Sequence, residues 1–542
     1  MNVEVEIAYN KKTVSISIKR CDEMNKIKRT CSGLVLLWLA LQPPVWPRQE
    51  TTAASLTLND CIARAVKNNL GVAVQVYGPE LADAAVRRAA EKFIPELSFE
   101  YNRQDTNSPS YSWINAAVQM QESYMNYSAS LGQSLPTGGK LTLSLSAYKN
   151  DTNASFQTIN PRYGSTLSFN FTQPLLRGFG FQTSRLEILL AVNNKIISEN
   201  SFKSTLLQSI YDVEQAYWTL VYSIETLKVK EQSLELARDL LEKNRKEIAI
   251  GTLAPKEILS SQAEVAQRET DILQARALVK DSLDALRTLI NIPEEAGDVE
   301  IVPVDKPAFE KKDIKLEEAM AAARANRPDL QSQRFEVKNK ELDLSYARNQ
   351  LLPGLNLNAN YWSPGISGTR ILYLGNNPLT GVIVGTVPSG ASNAVRDALN
   401  FRYRNWSVSL TLDIPLSDVF SRAKAAQAVL GRDQAAIRLK FLDQQAALEI
   451  KMAVRAVETD YQRVESSRIA SDLAQKKLQA EESKLRAGLS SNFIILQYQR
   501  DLAASRAAEL RAIIDYNLSL ARLEKAMGTS LESKNIKLTG QD

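Results

Sequence analysis

The chain has 542 residues, of which 44% are hydrophobic and 23% charged, a balance that describes a folded protein and sets disorder aside. It holds no histidine and three cysteines, which excludes Ser-His-Asp triads, Cys-His nucleophile pairs, histidine-ligated zinc or haem and cysteine-rich metal cages. Net charge is +5, but residues 1–50 carry eight Lys/Arg against five Asp/Glu, leaving 58 against 56 elsewhere, so no basic face is concentrated enough to neutralise phosphates and no nucleic-acid partner is expected.

Residues 1–50 read as a signal or targeting segment. Lys26, Lys28 and Arg29 precede the apolar run Gly33 to Leu41, too short to span a bilayer as a mature helix but suited to a secretory signal, with Met24 a candidate true start. Cleavage after this run removes Cys21 and Cys31 and leaves Cys61 alone, a small core residue of its helix, so no disulfide holds the fold.

The chain is then written twice. Leu58 to Asn68 reappears as Leu316 to Asn326, and at the same offset of 258 Phe93, Ile94 and Pro95 meet Leu351, Leu352 and Pro353. Pro174 and Leu175 match Pro415 and Leu416. Residues 212–291 align without a gap on 449–528, including Ala216 with Ala453 and Gly251 with Gly488. Repeat one is 56–291 and repeat two 316–530; between them, 292–315 is rich in Pro and charge and reads as a connector without a core of its own, and 531–542 is a tail.

Each repeat begins and ends in helix. Val213, Ala216, Leu220, Ile224 and Leu227 recur at helical spacing, and Ile450, Ala453, Val457, Tyr461 and Val464 reproduce them. The spacing predicts long helices over about 183–249 and 419–487, and shorter ones over about 58–92, 254–290, 316–350 and 492–527. Sustained apolar stripes with charged flanks encode coiled-coil walls.

Between the helices the period changes to two. Leu97, Phe99 and Tyr101, then Leu141, Leu143 and Leu145, then Trp406, Val408, Leu410 and Leu412 each alternate with polar residues. This predicts strands over about 96–104, 124–134, 140–148 and 164–173 in repeat one, and about 354–362 and 405–414 in repeat two, the last two joined by a Gly/Asn-rich excursion. Such alternation suits a membrane barrel, apolar to lipid and polar to a water-filled lumen, although a soluble β-sandwich alternates identically. A chain with four to six strands cannot close a barrel alone, since small barrels start near eight and lipid tolerates no open edge; three copies give twelve or eighteen.

The two repeats, the helix–strand junction prolines Pro95, Pro174, Pro353 and Pro415, and the helix breaks at Gly251 and Gly488 resemble the TolC family of outer-membrane efflux channels over about residues 56–530. The resemblance implies an α+β membrane protein: a homotrimer whose β-barrel in the outer membrane is continued by a long periplasmic α-helical coiled-coil barrel, with two structural repeats per protomer. It implies a periplasmic adaptor and an inner-membrane transporter as partners, outer-membrane lipid around the barrel, and no cofactor or metal. The function implied is the exit duct of a tripartite efflux or type I secretion system, not an enzyme.

The same resemblance assigns adaptor contact to the hairpin tips Gly251, Thr252 and Leu253 and Gly488, Leu489 and Ser490, and the periplasmic aperture to Lys256, Glu257, Ile494 and Gln497. The family pattern places acids six and nine positions after the second tip glycine, where this chain has Ile494 and Gln497; apolar Ile494 then offers constriction by dewetting instead. Glu257 holds the sixth position in repeat one, where a first-turn glutamate also answers the helix dipole. Gly178-Phe179-Gly180 lacks the remainder of a phosphate loop, Glu317 and Glu318 belong to a first helical turn, and seven methionines without histidine give no support to a copper-specific pore. The competing reading is an exported structural coiled-coil protein without channel activity.

Overall fold

A computed structural model describes residues 5–8, 54–110, 118–251, 254–292, 301–307, 309–414 and 419–539. The targeting segment, apart from 5–8, lies outside them, as do Thr252, Leu253 and Pro415. The chain divides into two compact units: one formed by 1–78, 199–332 and 440–542, the other by 79–198 and 333–439.

In chain order the principal elements are α1 (Leu58–Asn68), α2 (Leu70–Ala90), β1 (Glu96–Pro109), β2 (Gln119–Ser134), β3 (Lys140–Thr152), β4 (Ile159–Pro174), α3 (Leu186–Ala249), α4 (Lys256–Ile290), α5 (Leu316–Asn326), α6 (Pro328–Asn349), β5 (Gly354–Tyr373), β6 (Ile383–Val387), α7 (Ala391–Leu399), β7 (Asn405–Asp413), α8 (Val419–Arg486) and α9 (Asn492–Met527). Two short parallel ribbons, Val5–Ala8 with Ile536–Thr539 and Ala54–Leu56 with Ile301–Pro303, complete the pairing.

The first helical unit is built on ends as much as on stripes. Thr57 starts α1 with a capping box: its hydroxyl accepts the Asp60 N–H at 3.2 Å while the Asp60 carboxylate accepts the Thr57 N–H at 3.1 Å. Its core gathers Leu206, Ile210, Val213, Tyr217 and Leu220 of α3 with Cys61, Ile62 and Ala65 of α1 and Leu286 and Ile290 of α4. Burial pushes the Cys61 thiol up to about 12, which fits a packed core residue. The connector borrows its packing from two cores: Ile301 is buried in this one, and Phe309 stacks on Tyr461 at 5.0 Å in a second, beside Val457 and Tyr516.

The sequence predicts single helices over 58–92 and 316–350, and the structure breaks both at equivalent positions. Asn69 leaves α1 in an extended conformation, and its side-chain oxygen accepts the N–H groups of Gly71 (2.8 Å) and Val72 (3.2 Å) to start α2. In repeat two Arg327 makes the same exit, and Pro328 opens α6, where its missing N–H costs nothing. Apolar spacing continues across both breaks, which is why periodicity alone joined the segments.

In the second unit the described strands fall in one antiparallel sheet ordered β7–β5–β4–β3–β2–β1, with β6 paired to the far end of β5. Register keeps the apolar residues on one face: Tyr101 opposes Tyr127, Leu131 opposes Leu143, Phe169 opposes Tyr361, and Leu357 opposes Leu410. The other face is knit by hydroxyls, with Ser98 and Ser130 Oγ atoms 2.7 Å apart and those of Ser144 and Ser168 at 2.6 Å. Strands β1 to β5 outrun their predicted lengths because the hydrogen-bond ladder continues past the last apolar residue, as β1 does through Arg103 and Asp105, whereas β7 ends where its alternation does.

The excursion between β5 and β7 is ordered. It forms β6 and α7, and α7 lies on the apolar-face side of β5, with Ser363, Ala394 and Ala398 fully buried and Phe401 stacked 6.2 Å from Phe169. A Cβ on Gly365 would meet the Ala394 carbonyl oxygen at 2.0 Å, so only glycine allows this approach.

Candidate functional site

Both hairpin tips are made by the same device. Gly488 takes φ +73, its N–H donates to the Leu485 carbonyl at 3.0 Å, and the Leu489 N–H donates to the Lys484 carbonyl at 2.9 Å, the two hydrogen bonds of a Schellman ending to α8. Gly251 ends α3 with φ +78 and its N–H on the Ile248 carbonyl at 3.0 Å. A Cβ at either glycine meets no atom within 4 Å. The requirement for glycine at both tips is therefore conformational, not steric.

Leu489 is exposed, whereas Ser490 is tied down, its hydroxyl donating to Glu481 Oε1 at 2.7 Å. That bond and the Lys484 ammonium at 3.0 Å hold the Glu481 carboxyl below its ordinary range. On α4, Lys256 is exposed and Glu257 half-buried; on α9, Ile494 is half-buried and Gln497 exposed. The buried apolar pair next to the tip is Ile495 and Leu496, clustered with Leu240, Leu478 and Leu502.

A few turns further in, α4 and α9 are joined by a group that sequence reading missed. Glu264 is buried, and Arg268, one turn on and also buried, donates from Nε to its Oε1 at 2.9 Å. Arg500 of α9 donates from Nε to the same oxygen at 2.8 Å and from Nη2 to Oε2, a two-toothed clasp across the helices. Arg268 Nη1 also donates to the Ser233 carbonyl and, at 2.7 Å, to the Ser233 hydroxyl, anchoring the group to α3. Burial raises the Glu264 carboxyl, but the two guanidinium groups outweigh it and hold the carboxyl below its ordinary range. The sequence signal was the Glu264/Arg268 spacing of four, which reads as an ordinary exposed helical pair; nothing local pointed to Arg500.

This clasp sits in a groove of about 770 Å³ lined by Lys230, Ser233, Glu264, Arg268, Asp271 and Arg500 among others. Lys230 and Asp271 pair across it at 3.0 Å. The groove is charged, and holds no nucleophile–base pair. Among the described residues no cluster of metal-ligating side chains occurs, and no helix is long and apolar enough to cross a membrane.

The junction prolines mark where strand meets helix. Pro174 closes β4, and the next residues return to the start of β5, with the Leu175 N–H on the Leu355 carbonyl at 2.7 Å and the Arg177 N–H on that of Pro353 at 3.3 Å. Pro95 and Pro353 immediately precede β1 and β5.

A family described as outer membrane efflux protein matches residues 138–291 and 319–529. The probable outer membrane lipoprotein SilC of Salmonella typhimurium is 29% identical over 156 residues, 28% of this chain and 31% of that protein. Nodulation protein T of Rhizobium leguminosarum bv. trifolii is 21% identical over 325 residues, 60% of this chain and 63% of that protein. The chain thus aligns with less than two thirds of the length of either curated relative. The Campylobacter jejuni CmeC outer membrane channel matches in structure with a TM-score of 0.61 at 15% identity, covering 94% of this chain and 99% of that one. That likeness establishes the fold.

Proposed function

This chain belongs to the outer membrane efflux protein family and resides in the outer membrane with its helical part in the periplasm; from that premise we propose that three copies form a duct through which substrates leave passively, handed on by a periplasmic adaptor and an inner-membrane transporter. The observation that carries this reading is the sheet: six long strands, one face apolar and the other lined by Ser, Thr and Asn, with the outer edges of β1 and β7 left without a partner among the described residues. Such a sheet is stable in lipid only when copies close it. The two repeats and the connector are assigned the same boundaries as in the sequence, and the tips around Gly251 and Gly488 the task of meeting the adaptor.

Conduction needs a wet lining and a gate, and no catalytic group. Part of the gate is the Glu264 clasp: separating α4 from α9 must break both Arg500 contacts, and energy for that comes from docking partners. Ile494 serves as the apolar narrowing, in place of an acidic ring. Small-molecule efflux and type I secretion share this mechanism.

The test is single-channel recording of purified protein in planar bilayers. Wild type is expected to show a small conductance and Arg500→Ala a larger one. Ile494→Asp is expected to add cation block. No current from the outer-membrane protein or from either variant contradicts the duct.

A further inference from the structure

Repeat two joins its first strand directly to its last: β5 lies beside β7, with Asn358 opposite Ser409. Repeat one does not. Its first strand β1 and last strand β4 are separated by the β2–β3 hairpin, residues 119–152, which continues the same ladder on both sides. The hairpin keeps the sheet's two faces: Tyr127, Ala129 and Leu131 and Leu141, Leu143 and Leu145 lie with the apolar residues of β1 and β4, while Ser130 and Ser144 hydroxyls bond to Ser98 and Ser168 on the polar face. It continues the sheet and is not a loop laid over it.

The sheet ends at β1 and β7, and both ends present apolar side chains with no strand beyond them among the described residues: Phe99 is 76% exposed and Trp406 72%. The chain contains a template for what joins them. Where repeat one meets repeat two, the last strand β4 pairs antiparallel with the first strand β5, Ser168 opposite Trp362 and Phe171 opposite Ala359. A second copy extends this series, its first strand β1 following β7. Pro353 lies 258 residues after Pro95, and Pro415 lies 241 after Pro174. Carrying the seam across by those offsets sets Ser409 opposite Gln104 of the next copy, Thr411 opposite Asn102 and Leu412 opposite Tyr101, each on its proper face.

We propose that copies of this chain join by β7 against β1 in the register of the internal repeat seam, and that the 119–152 hairpin is part of the wall, so that three copies close an eighteen-stranded barrel. The copy number rests on the function proposed above; the seam and the six strands per copy do not. With strands about 4.8 Å apart and tilted about 40°, eighteen close at roughly 36 Å across the backbone, against roughly 24 Å for the twelve that remain without the hairpin. Barrels of that size leave an aqueous channel after their side chains are placed. The opening suits bulky or polymeric hydrophilic cargo as well as small molecules.

The experiment uses full-length protein in outer-membrane vesicles, a thiol crosslinker too short to reach past one strand spacing, and the mass of the detergent-extracted particle. Gln104→Cys with Ser409→Cys is expected to give covalent trimers on denaturing gels, and Asn102→Cys with Thr411→Cys the same, while each single variant gives monomer. If the hairpin were excluded from the wall, β1 would lie beside β4 in the register of repeat two, placing Glu100 opposite Ser168. Glu100→Cys with Ser168→Cys is therefore expected to stay unlinked, three strand spacings apart at roughly 14 Å. An intramolecular link there overturns the eighteen-stranded wall. A three-copy particle in which neither seam pair links overturns the seam and leaves the trimer standing. A different particle mass with linked seam pairs overturns the copy number alone.

Discussion

The two repeats share a backbone and differ in what they add to it. Both break their first helix at one position, Asn69 and Arg327, and turn their hairpins with glycines at φ +78 and +73. Both close their last helix with a left-handed residue, Asn291 at φ +51 and Gly528 at φ +75. Repeat one then inserts a strand hairpin, while repeat two inserts α7 on the apolar-face side of its strands. The aromatic anchors are exchanged too: Tyr217 on the long helix of repeat one donates to Asp305 at 3.2 Å, and Tyr516 on the short helix of repeat two donates to the Glu310 carbonyl at 2.5 Å. The two repeats thus share their chain reversals, which geometry dictates, and differ in the surfaces added between them.

The largest way to disturb that comparison is through the anchors. Tyr217 is fully buried, edge-on to Trp218 at 5.4 Å, so Tyr217→Ala is expected to cost about 3–5 kcal/mol. Tyr516→Ala should cost somewhat less, since Phe309 and Tyr461 remain stacked on each other. Urea midpoints of the two variants check the order. Next comes the clasp. Glu264→Ala strands Arg268 in the interior and is expected to cost about 3 kcal/mol, read as a lower thermal midpoint together with raised conductance.

The clasp also fixes a pH dependence. The folded carboxyl of Glu264 lies below its ordinary value of 4.5, so its stabilisation is complete above that value and is lost as pH falls through the folded one. Conductance is expected to stay low from neutral pH down to about 4.5 and to rise only below, a rise that Glu264→Gln removes. Smaller effects separate the inserts from the shared turns. Gly365→Ala drives a methyl against the Ala394 carbonyl and is expected to cost about 1–3 kcal/mol, with α7 becoming sensitive to protease. Gly251→Ala and Gly488→Ala each cost about 1 kcal/mol, from the left-handed backbone alone, and equal losses at the two tips would show that the turns are equivalent.

Much of this arrangement was legible in the residues. The alternation of Leu97, Phe99 and Tyr101 and of Trp406, Val408, Leu410 and Leu412 located strands because one face must be apolar, and Gly251 and Gly488 located the tips because a long helical pattern stopped at each. The breaks at Asn69 and Arg327 were hidden by apolar spacing that runs through them, although Pro328 signalled a helix start. Helix α7 escaped notice because nine residues give too few turns for a period to stand out. The Arg500–Glu264 contact joins residues 236 apart in the chain, and no local pattern encodes a partner at that distance.

The central claim is that the apolar face of this sheet meets lipid in an assembly of three copies. Its most direct measurement is the mass of the untagged particle extracted in mild detergent after inner and outer membranes are separated. The account predicts three protomers from the outer fraction; a water-soluble monomer or dimer recovered from the periplasm would contradict it.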